Sequence, residues 1–175
     1  MKYPVFVSFI AYLHNGSGRV AGFLKSHDEY LSGHFQGYEI IVVNDGSIDN
    51  SQKEVEDAMK EVKGNVILIN LPWRHGVEPA MTAGLHRSVG DFVFERDSID
   101  VDYPMELLSR LYDTAASGFD IVSAAPDAKR PITSRLFYRF INRVSYSNLK
   151  MGSLSIRLAS RRALNAMLSL KEKFR

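Results

Sequence analysis

The sequence predicts an α/β fold, a mainly parallel sheet with helices on both faces, and three observations carry that expectation. Apolar strand-like runs alternate with stretches of helical periodicity from residue 5 to residue 124. The strand-like runs are apolar throughout, as strands buried on both faces require. Polar and glycine-rich residues collect just after each run, where ligands of such sheets sit, near the point at which the strand order reverses.

Val5 to Ala11 is apolar and β-branched enough for a buried strand, and Gly16 to Ser32 then sets Val20, Phe23, Leu24 and Leu31 at helical spacing. Tyr38 to Val43 is a second strand, stopped by Asn44-Asp45-Gly46-Ser47, after which Ser51 to Val62 carries Val55, Ala58, Met59 and Val62 on one helical face. Val66 to Leu71 is the third strand, Ala80 to Arg87 a helix, and Asp91 to Phe94 the fourth strand. Pro104 to Ala116 reads as a helix with proline in its first turn, and Phe119 to Ala124 as a fifth strand. Ile132 to Tyr146 reads as a helix with Leu136, Phe137, Phe140, Ile141 and Val144 on one side and Arg135, Arg139 and Arg143 spaced four apart. That pattern suits a segment lying on an anionic membrane surface or facing phosphates, and equally a packed helix with a solvated arginine edge. Ser160 is a candidate N-cap for a last helix, Arg161 to Leu170, whose Arg161-Arg162 pair reads as exposed.

The 175 residues suggest a single domain, 45% apolar and 24% charged, without cysteine. Disordered and fibrous classes are excluded by that composition, and thiol nucleophiles, iron–sulfur clusters and cysteine zinc sites by the missing cysteines. The apolar run at the N-terminus is short and lacks a small-residue cleavage site, so it reads as a strand and not as a signal peptide. No stretch approaches the roughly 20 apolar residues of a membrane span. A cytoplasmic location is therefore expected, at the inner face of the membrane when the basic tail engages lipid. Residues 1 to 129 hold 11 Lys and Arg against 19 Asp and Glu, whereas residues 130 to 175 hold 11 against a single acid, Glu172. Such asymmetry suggests that the C-terminal third meets an anion, unless its arginines pair with the acidic part of the same molecule.

Gly16-Ser17-Gly18-Arg19-Val20-Ala21 fits the G-x-G-x-x-A spacing of dinucleotide-binding folds, which makes an NAD-binding oxidoreductase one alternative. Against it, Tyr12 to Asn15 separate the strand from the first glycine, and Asp45 comes late for the ribose-binding acid. There is no phosphate-loop motif and no G-x-S-x-G. Asp97-Ser98-Ile99-Asp100-Val101-Asp102 lacks the glycine and the ligand pattern of a calcium loop.

Glu39 to Asn50 remains, a strand ending in Asn44-Asp45-Gly46-Ser47 before a helix. A carboxylate at that edge can accept hydrogen bonds from a nucleobase, and glycine lets a ligand approach closely. Together with Arg74-His75-Gly76, Ala83-Gly84-Leu85, Val89-Gly90-Asp91 and Asp97, this run resembles the family 2 glycosyltransferases of the GT-A fold, a Rossmann-like architecture. The stretches 134–143 and 156–162 are similar to the branch of dolichol-phosphate mannose synthases and polyprenyl-phosphate sugar transferases. The resemblance implies an inverting transferase that moves a sugar from a nucleoside-diphosphate sugar to a polyprenyl phosphate or a glycan in cell-envelope polysaccharide synthesis. A binding-only relative that has lost turnover is the other alternative.

Carried over by position, the resemblance makes Tyr12, Asn44, Asp45, Arg74 and Asp97 donor contacts, with Asp97 also holding Mg²⁺ or Mn²⁺. Ile99 stands where the second acid of D-x-D belongs, so Asp100 or Asp102 would have to turn inward, and these join Asp97 as candidate catalytic carboxylates. Arg130, Arg135, Arg139, Arg143 and Arg157 are candidate acceptor contacts. No acid lies between Asp127 and Glu172, which favours a phosphate acceptor that needs no base; Asp100, Asp102 or Asp127 could serve a hydroxyl. Anionic lipid is an expected partner and nucleic acid is not. Chains of this family usually run on into further segments, often membrane helices, so a continuation past Arg175 is expected.

Overall fold

A computed structural model describes residues 2–124 and 156–172. The elements run β1 (Tyr3–Leu13), α1 (Val20–His34), β2 (Phe35–Asp45), α2 (Ser51–Ala58), β3 (Asn65–Leu71), α3 (Val77–Arg87), β4 (Phe92–Arg96), α4 (Glu106–Ala116), β5 (Ile121–Ala124), β6 (Ile156–Ser160) and α5 (Arg161–Glu172). One six-stranded sheet has the order β3-β2-β1-β4-β6-β5. The pairs β1·β2, β1·β4 and β2·β3 are parallel, while β6 runs antiparallel to both β4 and β5.

The alternating pattern of strands and helices anticipates β1 to β5. The strand β6 is a correction: five residues with an arginine second give too little pattern to be read as a strand, yet they pair Glu95 with Arg157 and Ser123 with Arg157 across two ladders. The helix expected over 51–62 stops at Ala58, and β1 reaches Leu13, closer to Gly16 than the sequence suggests. The helix expected over 132–146, with Arg135, Arg139 and Arg143, lies outside the described residues, as do Arg130 and Asp127. Among the described residues no helix is long and apolar enough to cross a membrane.

Side-chain alternation along the strands divides the interior in two. Val7, Phe9, Ala11 and Leu13 of β1, Ile40 and Val42 of β2, Phe94 of β4 and Ile156 and Leu158 of β6 face α1, α2 and α4. Ile10 and Tyr12, Ile41 and Val43, Val93 and Ala159 face the other way, against Ala80, Met81 and Leu85 of α3 and Leu164 of α5. Glu95 and Arg157 fall on this second face by the same parity. Gly84 lets α3 press onto the sheet there, since a Cβ would lie 2.5 Å from the Ile10 Cγ2. That close approach explains the glycine of Ala83-Gly84-Leu85.

In the first core, His27 is fully buried, with Nδ1 2.8 Å from the Phe23 carbonyl oxygen and Nε2 2.6 Å from the Tyr103 hydroxyl. Burial lowers its pKa from 6.5 to about 4; the Phe23 carbonyl opposes this and the Arg96 charge adds to it. The unfolded chain therefore takes up this proton near pH 6.5 and the folded one only near 4, so the stabilisation is complete above that window and is lost as pH falls through it. The expected loss is about 2 to 3 kcal/mol. Urea unfolding at about pH 7 and about pH 4.5 measures it, and a His27→Phe/Tyr103→Phe double variant should flatten this limb. An unchanged slope in that variant would assign the acid sensitivity elsewhere.

Candidate active site

The strand order reverses between β1 and β4, adjacent parallel strands whose connections lead to opposite sides. Their carboxyl ends diverge into a crevice, the usual ligand position in such sheets. It forms a cavity of about 180 Å³ lined by Tyr12, His14 and Arg19 from the β1 side and by Asp97 and Asp100 from the β4 side. A second cavity of about 380 Å³ adjoins it on the α3/α5 face. Its wall is apolar, from Val77, Met81 and Leu85 of α3 and Met167 of α5, and its polar groups include Glu95, Asp97 and Arg157. Asp97 borders both.

On the β2 side, Asp45 is completely buried and its carboxylate is held by the protein itself. Oδ1 accepts the His75 N–H at 2.7 Å, and Oδ2 accepts the Gly76 N–H at 2.8 Å and the Tyr12 hydroxyl at 3.0 Å. Burial resists ionisation, but the two amides and the phenol outweigh it and hold the carboxyl below its ordinary range. Gly46, at φ +60°, turns the chain directly against the loop so fastened: a Cβ there would lie 2.5 Å from the Trp73 carbonyl carbon. Arg74 rides on this loop, exposed, and interacts with the Tyr12 hydroxyl. Asn44 is buried against Asn70, its Nδ2 donating at 2.9 Å, while its Oδ1 accepts the Ser47 N–H at 3.3 Å. The structure thus brings Tyr12, Asp45 and Arg74 together, whereas Asn44 braces the turn behind them.

The loop after β4 sorts its acids. Asp97 is 56% exposed, and Arg96, which is almost fully buried, approaches it at 3.9 Å. Ile99 is only 4% exposed and packs in the first core beside Leu13 and Gly16 while also bordering the smaller cavity, so an apolar side chain stands where the D-x-D pattern has its second acid. Asp100, one residue on, faces the smaller cavity, where it binds the Arg19 guanidinium and accepts the Ser98 hydroxyl at 2.8 Å. Asp102 lines neither cavity and is engaged by Arg96 at 2.7 Å. Among the described residues no group of three metal-ligating side chains exists. The donor set nevertheless fits a cation of the Mg²⁺ or Mn²⁺ type, which is commonly held by one or two carboxylates and completed by substrate phosphates. Asp97, with Asp100 in reach of the same cavity, supplies that minimum.

Sequence reasoning missed Glu95. Its side chain is 5% exposed and grips Arg157 with both oxygens, at 2.9 Å to Nε and 2.5 Å to Nη2. The unseen β6 is the reason, because only the β4·β6 register sets these two residues opposite each other. Glu78 and Thr82 of α3 also line that cavity, so among the described residues its carboxylates are Glu78, Glu95 and Asp97. The basic tail is partly paired inside the chain: Arg162 binds Asp120 at 2.7 Å. Arg161 departs from its expected exposure, donating from Nε to the Gly90 carbonyl at 2.9 Å and from Nη2 to Ser88 at 3.2 Å. Ser160 caps α5 as expected, its Oγ accepting the Ala163 N–H at 3.2 Å.

The dinucleotide reading loses its donors here. The Gly16 N–H bonds Ser51 at 2.8 Å, the Ser17 N–H bonds Asp49 at 3.0 Å, and the Gly18 N–H bonds Glu54 at 2.7 Å. Two carboxylates therefore occupy the ground on which a pyrophosphate would sit, and like charge excludes it.

Comparison with known proteins agrees with this geometry. The family model described as Glycosyl transferase family 2 matches residues 8–168. The putative glycosyltransferase CsbB of Bacillus subtilis is 32% identical over 149 residues, 82% of this chain and 44% of its own. An undecaprenyl-phosphate 4-deoxy-4-formamido-L-arabinose transferase of Pseudomonas fluorescens is 34% identical over 141 residues, 78% of this chain and 41% of its own. The chain thus spans less than half the length of these curated relatives. Among solved structures, a mannosyltransferase from Pyrobaculum calidifontis in complex with GDP-Man and Mn²⁺ has a TM-score of 0.65 at 18% identity, covering 94% of this chain and 47% of that one. Glucosyl-3-phosphoglycerate synthase from Mycobacterium tuberculosis, in complex with Mn²⁺, UDP and phosphoglyceric acid, also has a TM-score of 0.65, at 17% identity, over 90% of this chain and 56% of its own. With nearly its whole length matched, and its sheet reversing where the site forms, the chain belongs to the family 2 glycosyltransferases of GT-A fold.

Proposed function

We propose that this chain transfers a sugar from a nucleoside diphosphate to the phosphate of a polyprenyl-type acceptor, with inversion at the sugar carbon. The observation that carries the reading is the position of Asp97 on the border of two cavities, a polar crevice at the switch point and an amphipathic chamber beside it. The crevice suits the donor. Tyr12 offers an aromatic face, Arg74 and Arg19 offer guanidinium groups for the diphosphate, and Asp45 fixes Tyr12 and the Arg74 loop. A divalent cation at Asp97, completed by the donor's phosphates, would neutralise charge on the departing diphosphate.

The chamber suits an amphipathic phosphate. Arg157 is pinned by buried Glu95 through Nε and Nη2, which leaves its remaining N–H groups to meet an acceptor anion. Val77, Met81, Leu85 and Met167 supply an apolar wall for the first carbons of a lipid chain. In the reaction an acceptor phosphate oxygen attacks the anomeric carbon from the face opposite the diphosphate, forming the new C–O bond while the old bonding pair leaves with the nucleotide. The attacking oxygen is already anionic, so no proton has to be removed. The names of the relatives that use undecaprenyl phosphate support this acceptor class.

Nucleotide release from UDP- and GDP-sugars, with a short polyprenyl phosphate or an oligosaccharide as acceptor, tests the reading. Arg157→Ala should raise the KM for the phosphate acceptor about 10- to 100-fold and leave the donor KM within about threefold. Equal effects on both, or turnover with the oligosaccharide alone, would reject the phosphate acceptor.

A further inference from the structure

Arg19 has no role in the donor and acceptor contacts carried by the sequence motifs, yet its guanidinium lines the smaller cavity with Asp97 and Asp100. It binds the Asp100 carboxylate and reaches the Asn15 carbonyl through Nη2 at 3.3 Å. Both side chains of the pair are 50% exposed, so water competes for each and the pair shifts an equilibrium only about two- to fivefold. Ile99 borders this cavity with an apolar side chain packed into the core, which leaves Asp100 as the second acid facing it beside Asp97.

We propose that Arg19 is an exchangeable latch on Asp100. With the crevice empty it holds the carboxylate; when a nucleoside diphosphate enters, the guanidinium moves to the diphosphate oxygens, and Asp100 turns beside Asp97 to share the divalent cation. The exchange is favoured because a diphosphate carries more charge than one carboxylate and accepts a guanidinium through several oxygens. The released Asp100 would repel the diphosphate unless a cation lay between them, so nucleotide and cation tighten each other's binding reciprocally. The inference rests on the crevice being the donor site.

Mn²⁺ titration of the full chain, with free Mn²⁺ read by electron paramagnetic resonance, tests it with UDP and GDP as the nucleotide probes. Arg19→Gln should tighten nucleotide-free Mn²⁺ binding about two- to fivefold and reduce by a similar factor the tightening that nucleotide produces. Arg19→Lys should restore much of that coupling. No change in Arg19→Gln overturns the latch, and so does a gain that persists in an Asp100→Asn background, which would reflect a general field and not a released carboxylate. Asp97→Asn separates the two levels. If it abolishes nucleotide-dependent Mn²⁺ binding while Arg19→Gln changes nothing, the latch alone fails; if nucleotide-dependent binding survives Asp97→Asn, the donor-site reading fails.

Discussion

Replacing Asp97 with asparagine is expected to lower sugar transfer by about 10²- to 10³-fold while leaving the fold intact. The size follows from the charge removed: Asp97 borders both cavities, and on the proposed reading its carboxylate would lie where the sugar–phosphate bond breaks and where a cation would be shared with the donor. Losing a direct charge interaction at that point removes several kcal/mol of transition-state stabilisation. Stability should hardly change. The side chain is more than half exposed, Arg96 approaches it no nearer than 3.9 Å, and asparagine keeps its shape. Thermal melts and kcat/KM for nucleotide release measure the two sides; a variant within tenfold of the parent would remove Asp97 from the reacting centre.

Asp45→Ala should act on both fold and site. Two backbone N–H groups, of His75 and Gly76, and the Tyr12 hydroxyl lose their common, fully buried acceptor. Unpaired buried donors cost about 1 to 3 kcal/mol each, partly relieved by relaxation, so about 3 kcal/mol of stability should go. The loop from Trp73 to Gly76 then loosens, and Arg74 with it, so nucleotide affinity should drop about 10- to 100-fold. The acid behaviour of this carboxylate differs from that of His27. Its folded pKa lies below the ordinary 3.8, so its contribution is complete above that value and is lost only as pH falls through the lower one. Urea unfolding and calorimetric binding of UDP or GDP check both effects. Asp45→Ala with parental stability and affinity would mean that the loop is held by other contacts.

The strand-and-helix rhythm was legible because each strand from β1 to β4 is long or apolar enough to declare itself, and because helices such as α1 show their buried face at Val20, Phe23, Leu24 and Leu31. The acidic turn after β2 was legible too, but as a ligand contact. Only the folded chain brings to Asp45 two amides thirty residues away and the Tyr12 hydroxyl, since nothing in a local run encodes a partner across a sheet edge. Ile99 illustrates the reverse case: spacing marks it as a missing acid, while packing beside Gly16 explains why the residue is apolar. Glu95 and its pairing with Arg157 stayed hidden because that pairing is a register between strands, 62 residues apart in sequence. Arg161 was misread because its carbonyl partner at Gly90 is equally remote.

The antiparallel β6 has a consequence for how the chain matures on the ribosome. Residues 3 to 124 are synthesised before it, yet among the described residues β5 joins the sheet only through β6. Until residue 156 has emerged, the edge of β4 and the strand β5 lack the partner that β6 provides, which is the kind of open border that invites mispairing with another nascent chain. The strand β6 therefore both seals that border and delivers Arg157, so acquisition of the arginine and protection from aggregation are one event.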